Sequence, residues 1–256
     1  MKYIRYEKDG AAFFGILEGD TVFELDGDYL QGAEKTGKTA ALADVRLLAP
    51  CLPPKIIGIG ANYKSFLAWK KKDNPAAPSF FSKPSTAVVA CGEAIEIPEP
   101  EHEVNYEGEL AVVIGKRCRD VRAADAMDYV FGYTCINDVT DNTMMFTEDK
   151  KWTRGKGCDT FAPLGPVVTD EIDPEDAMIT TRRNGEVVQH MNSSDMYFHI
   201  PALIEFISRY ITLEPGDVIA TGSPAGTGRI FPGDVIEITI DGIGTLTNPV
   251  KARVYA

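Results

Sequence analysis

Two glutamates separated by a single glycine, Glu107-Gly108-Glu109, stand at the head of the apolar run Leu110-Ala111-Val112-Val113-Ile114. If the run is a strand, side chains alternate between faces and the two carboxylates point the same way. They are then either acids on the wet face of a half-exposed strand or a functional pair. The run is apolar at every position, which implies that both of its faces are covered. A pair of carboxylates at the mouth of such a buried sheet requires a cation. Asp138 ends a second apolar run, Phe131 to Asn137, and either opens a turn, as Asn-Asp commonly does, or adds a third carboxylate. Three carboxylates without His or Cys make a hard oxygen site that suits Mg²⁺ or Mn²⁺, with Ca²⁺ possible, and does not suit zinc.

Lys156 lies between glycines in Gly155-Lys156-Gly157, read here as a loop in which the backbone approaches a ligand closely or the lysine is solvated. The segment Thr221-Gly222-Ser223-Pro224-Ala225-Gly226-Thr227-Gly228 offers backbone N–H groups to an anion, or makes a plain hairpin turn. It leads into a further strand pattern and lacks Gly-Lys-Ser/Thr, so dinucleotide and P-loop readings fail.

These groups need elements to hold them. The segments 56–59, 110–114, 132–136, 217–220 and 235–240 read as short apolar strands. Residues 123–129 read as a short helix. Residues 200–210 read as a clearer one, with Ile200, Leu203, Ile204, Ile207 and Ile211 on one stripe and Pro201 in the first turn. Residues 1–50 read as a small N-terminal β-rich domain. The Pro-rich, apolar stretch Leu48-Ala49-Pro50-Cys51-Leu52-Pro53-Pro54 is the expected link to a unit spanning 51–256. Strands outnumber helices without alternating with them, so the fold class expected is mainly β with a few helices (α+β) rather than a parallel βαβ fold.

Bulk properties exclude several functions. The 256 residues carry 38 acidic and 26 basic side chains, a net charge of −12 that repels phosphate backbones and argues against nucleic acid. No stretch reaches the ~20 apolar residues that span a bilayer. The start, MKYIRYEKDG, lacks the apolar core of a signal peptide. Five cysteines, odd in number and never in CxxC, fit a reducing compartment, and a cytoplasmic enzyme is expected.

Seven segments in order resemble the fumarylacetoacetate hydrolase superfamily from about residue 55 to the C-terminus. They are Gly60-Ala61-Asn62-Tyr63, Phe81-Ser82-Lys83-Pro84, Tyr106 to Leu110, Gly132 to Thr140, Arg154 to Pro166, Asn192 to Met196 and Thr221 to Gly228. The resemblance implies a rolled mixed β-fold, usually homodimeric, around a divalent metal held by Glu107, Glu109 and Asp138. Lys83 and Lys156 would be the catalytic lysines. Tyr63, Phe66, Asn142, Thr221, Gly222 and Ser223 would border the substrate, a small 2-oxo acid or its enol. Superfamily members hydrolyse C–C bonds of acylpyruvates, decarboxylate oxaloacetate, or isomerise dienoic diacids.

The sequence departs from the superfamily's hydrolases at one place that matters. Those enzymes follow Asn-Tyr with a His and, three residues later, a Glu that activate water; here the positions hold Phe66 and Trp69. The Arg and Gln that normally follow the aspartate are Asn142 and Met145. His102 lies near the Glu107 strand and either reaches the site or, the commoner case, is an exposed loop residue; His190 and His199 read as structural, and Glu148 and Asp149 as solvent-facing. An isomerase (tautomerase) or decarboxylase is therefore expected ahead of a C–C hydrolase or a non-catalytic binding protein.

Overall fold

A computed structural model describes residues 1–255. Its largest element is a twelve-stranded sheet that begins at the edge strand Lys35–Ala41. From there it runs through Thr21–Leu25, Ala11–Glu18 and Lys2–Lys8 into Ala162–Thr169, and on through Val130–Asn137, Gly108–Ile114, Val218–Ala220 and Ile56–Gly60 to Ser79–Lys83. Most pairs are antiparallel, but Val218–Ala220 lies parallel to Ile56–Gly60, which makes the sheet mixed. The strands of residues 1–50 extend this sheet directly, because Lys2 and Tyr3 pair with Thr169 and Val168.

A five-stranded sheet packs on it, ordered Glu186–Asn192, Met178–Arg183, Val235–Ile240, Gly244–Ala252 and Ile95–Ile97. The strand Gly108–Ile114 is buried along its whole length. Leu110, Val112 and Ile114 join Ile179, Ile238 and Ile240 of the second sheet in one apolar cluster. Ala111 and Val113, on the opposite face, join Cys51, Ile56, Ala87 and Val218 in another. The unbroken apolar run thus reflects cover on both faces.

The helix expected over 200–210 forms as Ile200–Ser208 and buries Ile200, Leu203, Ile204 and Ile207. Residues 123–129 are not α-helical. They form a 3₁₀ segment in which the Asp125 N–H donates to Arg122 O at 3.0 Å, and only Ala126 is buried, too little cover for an α-helix. Three helical segments had no sequence signal: Lys64–Trp69, the π-type turn Thr143–Glu148 and Trp152–Gly157. The last corrects the placement of Lys156, which sits on a short helix and not in a loop. The segment 221–227 is no hairpin either: Val218–Ala220 pairs in the large sheet, whereas Gly228–Arg229 pairs with Val104–Tyr106 in a separate three-stranded sheet. No helix is long and apolar enough to cross a membrane among the described residues.

Leu110 is fully buried between the sheets, whereas Leu52 is 62% exposed. Leu110→Ala should therefore destabilise the protein by about 2–5 kcal/mol and Leu52→Ala by under about 0.5 kcal/mol, read by denaturant unfolding.

Candidate active site

The carboxylates of Glu107, Glu109 and Asp138 converge, each offering an oxygen within 4.8 Å of the others. The large sheet places them. Gly108 pairs with Asn137 and Glu109 with Ile136, so the head of one strand meets the tail of its neighbour, and Asp138 follows immediately. Glu107 falls at the break between Val104–Tyr106 and Gly108–Ile114; its N–H donates to Asn137 Oδ1 at 2.9 Å and its O accepts from Asp138 N. Gly108 between the two acids is a packing requirement, because a Cβ there would lie 2.1 Å from Thr181 Oγ1.

Two buried lysines enter this cluster. Lys83 Nζ donates to Asp138 Oδ1 at 2.6 Å and to Val139 O at 3.0 Å, with no exposure at all. Lys156 Nζ lies 2.5 Å from Asp138 Oδ2 and 3.0 Å from Glu107 Oε2, and stands 4.7 Å from the centroid of the Phe81 ring. Burial alone would raise the Asp138 pKa, but Lys156 and Lys83 outweigh it and hold the group below the usual carboxylate range. Burial would likewise lower Lys156, yet Asp138 and Glu107 hold it above the ordinary lysine value. Lys83, fully desolvated and facing Lys156, is pushed down. Removal from water pushes Glu107 up, against the pull of Lys156.

Glu109 is the carboxylate without a cationic partner among the described residues. It is 1% exposed, and its Oε2 accepts only the Gly222 N–H, at 2.8 Å. Burial pushes its pKa well above the carboxylate range, and Asp138 and Glu107 add to the shift. The cluster thus sets three carboxylates against two ammonium groups, and Glu109, 1% exposed, is the carboxylate that neither lysine reaches. An all-oxygen donor set with one uncompensated buried charge fits a hard divalent cation.

The other residues singled out from the sequence divide into two groups. Thr221, Gly222 and Ser223 serve the strand beside them: Thr221 Oγ1 donates to Leu110 O at 2.8 Å, Ser223 Oγ to Gly108 O at 3.2 Å, and Gly222 caps Glu109. Tyr63 is wholly buried, and its hydroxyl lacks a well-aligned partner among the described residues. Phe66 is half-buried and meets Trp69 edge-on at 6.0 Å, while Trp69 is 45% exposed. Asn142 donates its amide to Glu103 Oε1 at 3.1 Å, and Met145 is buried.

His102 is not an exposed loop residue. Only 12% of its side chain is exposed, Nδ1 is bonded to the buried Asp141 at 2.8 Å, and Nε2 faces Glu148 at 3.5 Å. His190 bonds Thr180 Oγ1, and His199 pairs with Glu175. Glu148 and Asp149 are partly exposed and share Arg154.

Sequence reasoning missed Thr140, whose Oγ1 donates to Glu107 Oε1 at 3.0 Å, and Gln189, which bonds Gly108 N and Ser223 Oγ. It also missed the floor of the site. The residues aligned across the sheet from Phe81 are Gly58, Ala220 and Ala111, all small. The Phe81 ring lies on Gly58, where a Cβ would sit 2.2 Å from Cζ, and Trp152 lies on Gly60, where one would sit 2.5 Å from Cη2. The available signal was the Gly-x-Gly spacing at Gly58 and Gly60 opposite aromatics.

Residues 55–251 match the family described as fumarylacetoacetate (FAA) hydrolase C-terminal, and residues 1–50 match one described as Rv2993c-like, N-terminal. The chain is 42% identical to oxaloacetate tautomerase YisK of Bacillus subtilis over 82% of its own length and 74% of that protein. Among solved structures, 2-hydroxyhepta-2,4-diene-1,7-dioate isomerase from Mycobacterium marinum superposes with a TM-score of 0.92 at 42% identity, covering all of both chains. Maleylpyruvate hydrolase from Sphingobium sp. SYK-6, solved with manganese(II) and pyruvate, gives 0.83 at 30% identity, covering 99% of this chain and all of that one.

A neutral side chain at position 109 removes the uncompensated charge while keeping an acceptor for Gly222. Glu109→Gln should raise the melting temperature of the metal-free protein and abolish the upward shift that Mn²⁺ or Mg²⁺ gives the wild type, both read by thermal unfolding.

Proposed function

The chain belongs to the fumarylacetoacetate hydrolase family, and from that premise we propose that it is a divalent-metal-dependent tautomerase of small 2-oxo acids, interconverting enol and keto forms. The observation that carries this reading is a complete charge cluster, Glu107, Glu109, Asp138, Lys83 and Lys156, beside a helix whose Phe66 and Trp69 hold no base. Glu107, Glu109 and Asp138 would hold the cation. When bound, a divalent ion supplies positive charge to the oxygens of the substrate's 2-oxo acid head.

Ketonisation moves one proton from the enol oxygen to C3 and consumes no water. It therefore needs no water-activating base, a group that typically contributes ~10²–10⁴-fold where it is used. Lys156, lodged between Glu107 and Asp138, carries the proton to C3. Lys83, on the far side of Asp138, fixes that carboxylate and with it the Lys156 ammonium. Phe81, packed on Gly58 and facing the Lys156 ammonium, presents apolar surface that excludes water from the reacting atoms, and Phe66 would border the substrate. Similarity to an oxaloacetate tautomerase and to a dienedioate isomerase supports a proton shift, and a homodimer is part of the same reading.

The deciding assay follows enol-oxaloacetate absorbance, CO₂ and pyruvate together, with Mn²⁺ and with chelator. Enzyme-accelerated loss of enol without CO₂ or pyruvate is the expected result; faster acetylpyruvate cleavage than ketonisation would refute it. Lys156→Met should lower kcat per folded molecule by ~10²-fold or more, and should also lower the melting temperature of the metal-free protein, because Glu107 and Asp138 lose a buried cation.

A further inference from the structure

The catalytic lysine is carried by an excursion of chain that leaves the sheet at Asp138 and returns to the site at Lys156. Its fastening is unusual. The bridge Thr140–Asp141 pairs with Val104–Tyr106, the strand that delivers Glu107, with Val104 opposite Asp141 and Asn105 opposite Thr140. Side chains alternate there, so Thr140 reaches forward to Glu107 Oε1 and Asp141 points to the opposite face. On that far face Asp141, with no exposure, accepts from His102 at Oδ2 and from Met144 N at Oδ1, 2.9 Å away.

The imidazole does not stop at Asp141. Its Nε2 faces Glu148 Oε1 at 3.5 Å, and Glu148 with Asp149 grips Arg154 on the helix Trp152–Gly157. Gly155 of that helix lies so close to Asp141 that a Cβ would meet its carbonyl oxygen at 2.6 Å. The neighbouring loop adds two bonds, Glu103 N to Thr143 Oγ1 at 2.9 Å and Asn142 N to Glu103 O at 2.8 Å. His102 thus touches Asp141, which precedes the turn Thr143–Glu148, and Glu148, which closes it.

We propose that His102 is a positioning residue: through Asp141 and Glu148 it holds the 142–157 excursion against the Glu107 strand, and so keeps Lys156 Nζ between Glu107 and Asp138. It does not replace the missing water-activating base, because it lies behind the carboxylates and not among them. Its partner Asp141 orients it as a carboxylate orients an imidazole in a catalytic triad, but the bond is spent on chain geometry. Placement errors of about 1 Å cost on the order of 10²-fold in rate, so a loosened excursion registers in turnover before it registers in substrate affinity.

The kinetic half of the test rests on the tautomerase reading; the exchange half does not. Amide hydrogen exchange of the metal-free protein should show His102→Ala speeding exchange across 142–157 by about tenfold or more, with 108–114 unchanged. In enol-oxaloacetate ketonisation with Mn²⁺, the same variant should lose about tenfold or more in kcat while KM changes by less than about threefold. His102→Asn, which can still donate to Asp141, should recover both to within about threefold of wild type. Glu148→Gln, a milder lesion on a 39% exposed side chain, should speed exchange mainly over 146–157. Unchanged exchange over 142–157 in His102→Ala overturns the proposal, whatever the kinetics. So does equal acceleration across the whole chain in both His102 variants, or a change confined to KM. A wild type without tautomerase activity would sink the functional reading and leave the exchange result to decide the role of His102.

Discussion

Three carboxylates forced together out of water are the constraint to which the rest of the molecule answers. Their mutual repulsion would disperse any unsupported chain, and the fold opposes it with two lysines brought from opposite directions. Lys83 comes from the outermost strand of the large sheet, and Lys156 from a helix more than 70 residues later in the chain. Asp138 sits between them, bonded to both, and is the pivot of the arrangement. Glu109 is left without such help, and that imbalance is what a divalent cation would correct. Removing either lysine leaves buried carboxylates uncompensated, so Lys83, Lys156, Asp138 and Glu107 behave as one unit, to which Glu109 adds the surplus charge.

Much of this was readable before folding, and the reason is local. The Glu-Gly-Glu spacing and the apolar run behind it specify a same-face pair entering a covered strand, and Asp138 closes the neighbouring strand in register. The Ile200–Ser208 helix was legible for the same kind of reason, a stripe of four isoleucines and leucines at helical spacing. What escaped detection depended on partners distant in sequence. Gly155-Lys156-Gly157 suggests a loop on propensity grounds, yet packing against Asp141 and Pro84 makes it helical. The stretch after Val218–Ala220 looks like a hairpin until its two flanking strands choose different sheets. His102 gave no local sign of Asp141, 39 residues away. The lysine at position 83 gained its meaning only through family resemblance, because a lone lysine ending a short strand is ordinary in itself.

Glycine and alanine have a distinct task in the sheet. Gly58, Ala220 and Ala111 form a row of minimal side chains in register with Phe81, whose ring lies on Gly58, while the Trp152 ring lies on Gly60. Aromatic surface is thereby placed against the Lys156 ammonium, where a ring face complements positive charge without adding a titratable group. The carboxylates thus stand at strand ends, the aromatic rings lie over glycines of the same sheet, and the helix Trp152–Gly157 contributes to both through Lys156 and Trp152.

The first fifty residues contribute nothing to the charge cluster, but their strands continue the main sheet without a seam, Lys2–Lys8 lying against Ala162–Thr169. A sheet border presents unpaired peptide groups and so recruits other chains. By adding strands here, the N-terminal segment transfers that border outward to Lys35–Ala41, which is almost wholly exposed and carries Lys35 and Lys38. A sheet that would otherwise end at the apolar strand Ala162–Thr169 ends on this side in a charged, hydrated one. The N-terminal segment is in this sense a selvedge: it finishes this border of the sheet with a charged, exposed strand, the kind of edge that discourages pairing with another chain.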